Sequence, residues 1–191
     1  ARTPMGAFQG DLSGMAAPQL GGVAIKAALG DAGCAAEAVD EVLMGCVLPA
    51  GVGQAPARQA GFAGGLDETV PASTVNKVCG SGMKTVMMAH DLIRAGSAEL
   101  VVAGGMESMT NAPYLSAATR GGARLGHAAL KDHMFLDGLE DAYDSGRLMG
   151  SFAEECASRY QFSREAQDEY ALQSLANARA AQDSGAFDGE I

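Results

Sequence analysis

Ser73-Thr74-Val75-Asn76-Lys77-Val78-Cys79-Gly80-Ser81-Gly82-Met83-Lys84 changes character at its centre, from β-branched residues to glycines that open a helical pattern. Residues 73–78 suit a strand, and a helix is expected from Gly80 to about Arg94, stopped by Gly96. On the far side, Ala98 to Ala103 (AELVVA) reads as another strand. On the near side, Glu41 to Leu48 (EVLMGCVL) is a short apolar run ended by Pro49, which favours a buried strand, and a helix is expected over about 55–63. Earlier still, Pro18 suits the first turn of a helix running to about Leu29 and closed by Gly30 and Gly33. Strands that alternate with helices and read as continuous apolar runs point to a parallel sheet covered on both faces, the α/β class.

From about Met106 the texture changes. Residues 108–138 hold five Gly or Pro and little period, which predicts an inserted segment of loops and short elements. Helices are expected again at about 152–160 and from Arg164 to about Ser184. Ser163 is placed to cap the second of these, and Gly185 to stop it. The 191 residues hold 48% hydrophobic and 19% charged side chains, 26 Gly and no Trp, a composition that builds a real core. Thirteen Lys and Arg against 23 Asp and Glu leave a formal charge of −10, which argues against nucleic acid as a partner. No stretch approaches the length of a membrane span, and no signal segment is visible, so a cytoplasmic setting is expected.

Cys34, Cys46, Cys79 and Cys156 form no CxxC pair, so no metal site is expected. Cys79 stands apart because it falls where strand gives way to helix. There the unpaired N–H groups and the aligned dipoles of the first turn favour a thiolate. Gly80 and Gly82 let a substrate approach the backbone, and the Cys79 N–H is a candidate donor to an oxyanion. The arrangement parallels a nucleophile elbow with sulfur in place of oxygen. A single cysteine in apolar surroundings is otherwise commonly a small core residue, and Cys34, Cys46 and Cys156 are expected to be just that. Met83, Met87 and Met88 are expected to pack in the core or between helices. His90, eleven residues along the helix, lies about 16 Å from Cys79 and is too far to act as its base. His133 is expected at the surface or in packing, and Glu107 in a structural role. Gly51-Val52-Gly53-Gln54-Ala55-Pro56 begins like a dinucleotide fingerprint, but Pro56 stands where its last glycine belongs.

NKVCGSGMK (76–84), followed by AELVVAGGMESMTNAPYL (98–115), closely resembles the thiolase family, in particular its acetyl-CoA acetyltransferases. The resemblance continues through Asp137 to Asp141, Met149-Gly150, Ala153 to Glu155 and Ser163 to Asp168 to the closing Gly185 to Ile191, covering essentially the whole chain. It implies a thiolase-like α/β fold: a mixed sheet with parallel strands between helices, plus an inserted loop domain. Residues 1–110 would belong to the amino-terminal thiolase domain and 111–191 to the first part of the loop domain. In thiolases an apolar strand precedes the Ala-Arg-Thr-Pro that here begins at Ala1. Their Gly-His-Pro histidine, water-orienting asparagine and second, Cys-x-Gly cysteine come from a carboxy-terminal half. The first strand and the carboxy-terminal domain are therefore expected to be missing from this chain, and the 191 residues alone to be inactive.

The same resemblance implies that Cys79 takes an acetyl group from acetyl-CoA as a thioester. A second acetyl-CoA then loses an α-proton and attacks, giving acetoacetyl-CoA, and the reverse reaction cleaves a 3-ketoacyl-CoA. Coenzyme A thioesters are substrates here, and no cofactor is implied. Leu139 and Met149 match positions that line the channel for the pantetheine arm and acyl group. Arg120, Arg124 and Lys131 lie in a stretch that in thiolases makes a tetramer-forming excursion, and are expected to be solvated. A homodimer or homotetramer and a place in fatty acid metabolism are implied too. The alternative carried forward is a noncatalytic acyl-CoA or lipid-binding protein with a thiolase shell.

Overall fold

The computed structural model describes residues 1–191, which divide into two compact units, Ala1–Gly138 and Leu139–Ile191. The first unit is built on three strands, β1 (Glu41–Gly45), β2 (Ala72–Val75) and β3 (Val101–Gly105), in the order β2-β1-β3. All pairings are parallel, with Val42 opposite Ala72 and Val102. The mixed character expected of the sheet is absent from it. Antiparallel pairing occurs instead in a separate two-stranded ribbon, β4 (Tyr114–Leu115) with β5 (Lys131–Asp132).

Alternation along β1 assigns its faces. Val42, Met44 and Cys46 join a core cluster with Ala17 and Ile25 of α1 (Ala17–Ala32) and Ala57 and Ala60 of α2 (Pro56–Ala63). Gly45 lies on the other face, against α3 (Ser81–Arg94). Central β1 is thus covered on both sides, as its unbroken apolar run requires. The close approach of α1 to α2 depends on small residues: a Cβ at Gly22 would stand 2.5 Å from that of Ala63. Helix α1 runs past Gly30 and closes at Gly33, which takes the left-handed conformation at φ 63°.

Each strand departs from its expected bounds for a local reason. The Asp40 carboxylate accepts the Glu99 and Leu100 amides at 2.6 and 2.9 Å, so β3 starts only at Val101. Those two backbone bonds hold the Asp40 carboxyl below its usual range. β1 ends at Gly45: the Cys46 amide still donates to Val75 O at 3.1 Å, but those of Val47 and Leu48 turn to the Glu107 side chain, and β2 ends at Val75, where Asn76 begins a turn. Residues 106–138 carry few regular elements but are well tied to the rest of the first unit. Ser108 Oγ donates to Met15 O at 2.9 Å, Asn111 Nδ2 to Ser13 O at 3.0 Å, and the Gln9 amide to Thr110 Oγ1 at 2.9 Å.

The second unit is helical, with α4 (Met149–Tyr160) and α5 (Arg164–Asp183), neither of which has a buried residue. An antiparallel bridge between Glu140 and Leu148 closes the loop before α4. Within that loop the Asp141 carboxylate accepts the Tyr143 and Asp144 amides at 2.9 and 2.8 Å. Ser163 caps α5 as expected, its hydroxyl accepting the Ala166 amide at 3.2 Å. No helix of the chain is long and apolar enough to cross a membrane.

Candidate active site

Cys79 is exposed, one residue before Gly80, the N-cap of α3, and no side chain caps that helix end. The turn that carries it is specified locally. Asn76 Oδ1 accepts the Val78 amide at 2.9 Å, an Asx turn, and buried Ser81 closes the loop from the other side. The Ser81 hydroxyl accepts the Lys77 amide at 2.9 Å and donates to the Val78 carbonyl at 2.5 Å. Held this way, Val78 adopts φ 47°, a left-handed conformation that costs a β-branched residue energy. The amides of Gly80 and Ser81 donate to the carbonyls of Lys77 and Val78 at 3.1 Å, so they are spent within the turn. The Cys79 amide takes no part in these bonds.

Glycines and one hydroxyl seat this helix end on the sheet. A Cβ on Gly45 would lie 2.6 Å from Ser81 Cβ, and one on Gly105 would lie 3.3 Å from Gly82 Cα. Thr85, fully buried at 0% exposure, has its Oγ1 2.7 Å from Gly82 O and 2.8 Å from Gly104 O. The face of α3 turned to the sheet is therefore Ser81, Thr85 and Ala89. The expectation for the methionines is corrected accordingly: Met83 is 74% exposed, Met87 is exposed too, and Met88 is half-buried. Glycine-lined strands admit only small residues beneath the helix, so the large ones point away.

The loop after β1 is gripped by two side chains from the stretch after β3. Glu107 accepts the Val47 amide at 2.7 Å and the Leu48 amide at 3.1 Å, the structural role expected of it. His133, 4% exposed, accepts the Ala50 amide through Nε2 at 3.3 Å, and its Nδ1 lies 2.6 Å from Asp137 Oδ2. The loop in turn touches the nucleophile segment, since Asn76 Nδ2 donates to the Val47 carbonyl at 3.3 Å. Sequence reasoning passed over Asn76 and Ser81 as site residues, and treated His133 as a surface or packing residue. An asparagine two residues before a β-branched residue and three before the cysteine was the available signal for the turn.

The remaining cysteines separate. Cys46 is buried, and burial together with the neighbouring Glu107 carboxylate pushes its thiol up to about 11. Cys34 is half-buried and Cys156 exposed, which corrects the expectation that both would be buried; Cys156 sits on α4, which has no buried residue. Leu139 and Met149 lie in the second unit, flanking the Glu140–Leu148 bridge, with Leu139 half-buried and Met149 61% exposed. The bridge brings these two candidates to the neck of one loop. His90 is exposed and held by Asp91, and Arg120, Arg124, His127 and Lys131 are exposed.

Comparison with known proteins places the chain in a family. The family model described as the thiolase amino-terminal domain matches residues 1–191, and so runs without a break through 111–191. Acetyl-CoA acetyltransferase of Cupriavidus necator is 54% identical over 191 residues, covering all of this chain and 48% of that protein. Acetyl-CoA acetyltransferase 2 of Arabidopsis thaliana is 53% identical over 192 residues, covering 47% of its length. The acetyl-CoA acetyltransferase of Saccharomyces cerevisiae is 49% identical over 193 residues, covering 48%. The chain spans about half the length of the curated relatives it matches. With an α/β sheet unit, an exposed cysteine at the uncapped start of α3 and a family match along its full length, the chain belongs to the thiolase family.

Proposed function

We propose that the protein containing this chain is an acetyl-CoA C-acetyltransferase, with Cys79 as its acyl-carrying nucleophile. The observation that carries this reading is the placement of Cys79: exposed, on a tightly bonded turn, at a helix end with no side-chain cap. In the first half-reaction the Cys79 sulfur attacks the acetyl carbonyl carbon of acetyl-CoA. The carbonyl π pair moves onto oxygen, where the Cys79 amide donates to it. Collapse breaks the bond to the coenzyme A sulfur, which leaves as thiolate and takes a proton, while the acetyl group stays on Cys79 as a thioester. In the second half-reaction another acetyl-CoA gives up an α-proton to a base, and the resulting enolate attacks that thioester carbon. The new carbon–carbon bond gives acetoacetyl-CoA, and the Cys79 sulfur leaves. The reverse sequence cleaves a 3-ketoacyl-CoA with free coenzyme A. A thiolate suits both directions because thioester exchange between two sulfurs is nearly balanced.

Coenzyme A thioesters are the substrates, and this chemistry calls for no further cofactor. We assign Leu139 and Met149 to the acyl and pantetheine channel on the strength of the family pattern at those positions. A homodimer or homotetramer, a cytoplasmic setting and a role in fatty acid metabolism complete the proposal. The test is intact mass of the full-length protein before and after incubation with acetyl-CoA, with peptide mapping. An acetyl adduct on Cys79, lost in Cys79→Ser together with all turnover, supports the reading. Unmodified Cys79 in wild-type protein, with turnover retained by the serine variant, overturns it.

A further inference from the structure

His133 is buried, yet nothing in the acetyl-transfer scheme uses it. An imidazole taken out of water needs partners for both nitrogens, and it has them from opposite sides. The Ala50 amide donates to Nε2, so that nitrogen carries a lone pair; Nδ1 then carries the proton and donates to Asp137. The pattern of partners fixes one neutral tautomer. The backbone amide of His133 donates to Pro113 O at 3.1 Å, which ties the residue after β5 to the residue before β4. His133 is thereby a rigid acceptor presented to the loop that follows β1.

What that loop touches gives the histidine its consequence. Val47, in the same loop as Ala50, offers its carbonyl to Asn76 Nδ2, and the other end of the Asn76 amide accepts the Val78 N–H next to Cys79. Glu107 holds the loop at Val47 and Leu48, and His133 holds it three residues on. We propose that His133 is a positioning residue for the Cys79 turn: its Nε2, with the tautomer set by Asp137, fixes the 46–50 loop against which Asn76 orients the turn. This rests on Cys79 being the nucleophile.

The two amide side chains that mimic a histidine distinguish this role from simple packing. In the full-length protein, His133→Gln places an acceptor near the Nε2 position, His133→Asn replaces only the Nδ1 side, and His133→Leu keeps bulk alone. Iodoacetamide labelling of Cys79, kcat and KM are measured for each, together with deuterium exchange of a peptide spanning Ala50. We expect His133→Asn and His133→Leu to slow labelling and kcat about tenfold with KM little changed, and His133→Gln to recover to within about twofold of wild type, the scale of one buried hydrogen bond. Exchange around Ala50 rises in the Asn and Leu variants and returns in Gln. Equal behaviour of Gln and Asn, or wild-type labelling in all three, overturns the proposal. If wild-type Cys79 is labelled no faster than Cys34 and Cys156, the nucleophile reading falls instead. In that case exchange at Ala50 still judges the histidine link, and unchanged exchange in His133→Asn overturns it.

Discussion

Helices α3 and α5 are held by opposite means. α3 presses Ser81, Thr85 and Ala89 into a sheet lined with glycine, and its amino end has no side-chain cap. α5 has no buried residue, but it has a serine cap, Glu165 in its first turn and an Arg164–Asp168 pair at 2.9 Å. A helix end seated by tertiary packing can be left open to a ligand, because its position does not depend on its own cap. A helix made by local sequence has to close its own ends. Chemistry on this chain is therefore mounted at the helix end that packing holds in place, and not at the one that its own cap closes.

The seating of α3 is most vulnerable at Gly45. Gly45→Ala places a methyl 2.6 Å from Ser81 Cβ and 2.8 Å from the Ser81 carbonyl carbon, contacts that flexing cannot relieve. We expect a loss of about 3 kcal/mol in denaturant unfolding of the first unit. Slower Cys79 labelling should accompany it, with residues 164–183 unaffected in hydrogen exchange. Next comes Thr85→Val, which keeps the shape and removes the hydroxyl between Gly82 O and Gly104 O. It is expected to cost about 1–2 kcal/mol, read from the shift in denaturant midpoint. Ser163→Ala should cost about 1 kcal/mol, felt as faster amide exchange in the first turns of α5 and not as a change in the sheet unit.

How much of this was legible in advance follows the reach of each interaction. The junction at Cys79, the helix after it and the cap at Ser163 are short-range features, written within a few residues of where they act. Glu107 and His133 act on backbone 60 and 83 residues away, and no periodicity announces such pairings. The methionines misled for a related reason. Helical spacing identifies an apolar face on α3, but the sheet's glycines decide that the small face is the one buried. The exposed Cys156 shows the same limit, since burial on α4 depends on what packs against it and not on the residue type.

The smallest effect near neutral pH belongs to Cys46. Its thiol is raised from an ordinary value of 9.0 to about 11, so the folded state holds that proton more tightly than the unfolded chain. The associated stability is fully present below about pH 9 and is lost as the pH climbs toward 11. Comparing the alkaline limb of unfolding midpoints for wild type and Cys46→Ala isolates this contribution. The variant's limb should be shallower between those values, and identical limbs would discount the burial of the thiol.

Val78 sets a trade between durability and turnover. A branched residue at φ 47° keeps the turn in tension, maintained by Asn76 and Ser81 on either side. Replacing it with glycine relaxes that tension, and we expect protein stability to rise by up to about 1 kcal/mol, the strain relieved outweighing the freedom added to the unfolded chain. The same change would let the sulfur wander among many orientations, few of them aimed at an incoming carbonyl. A population selected only for heat resistance would drift toward the relaxed turn, and one selected for catalytic rate would keep the tense one.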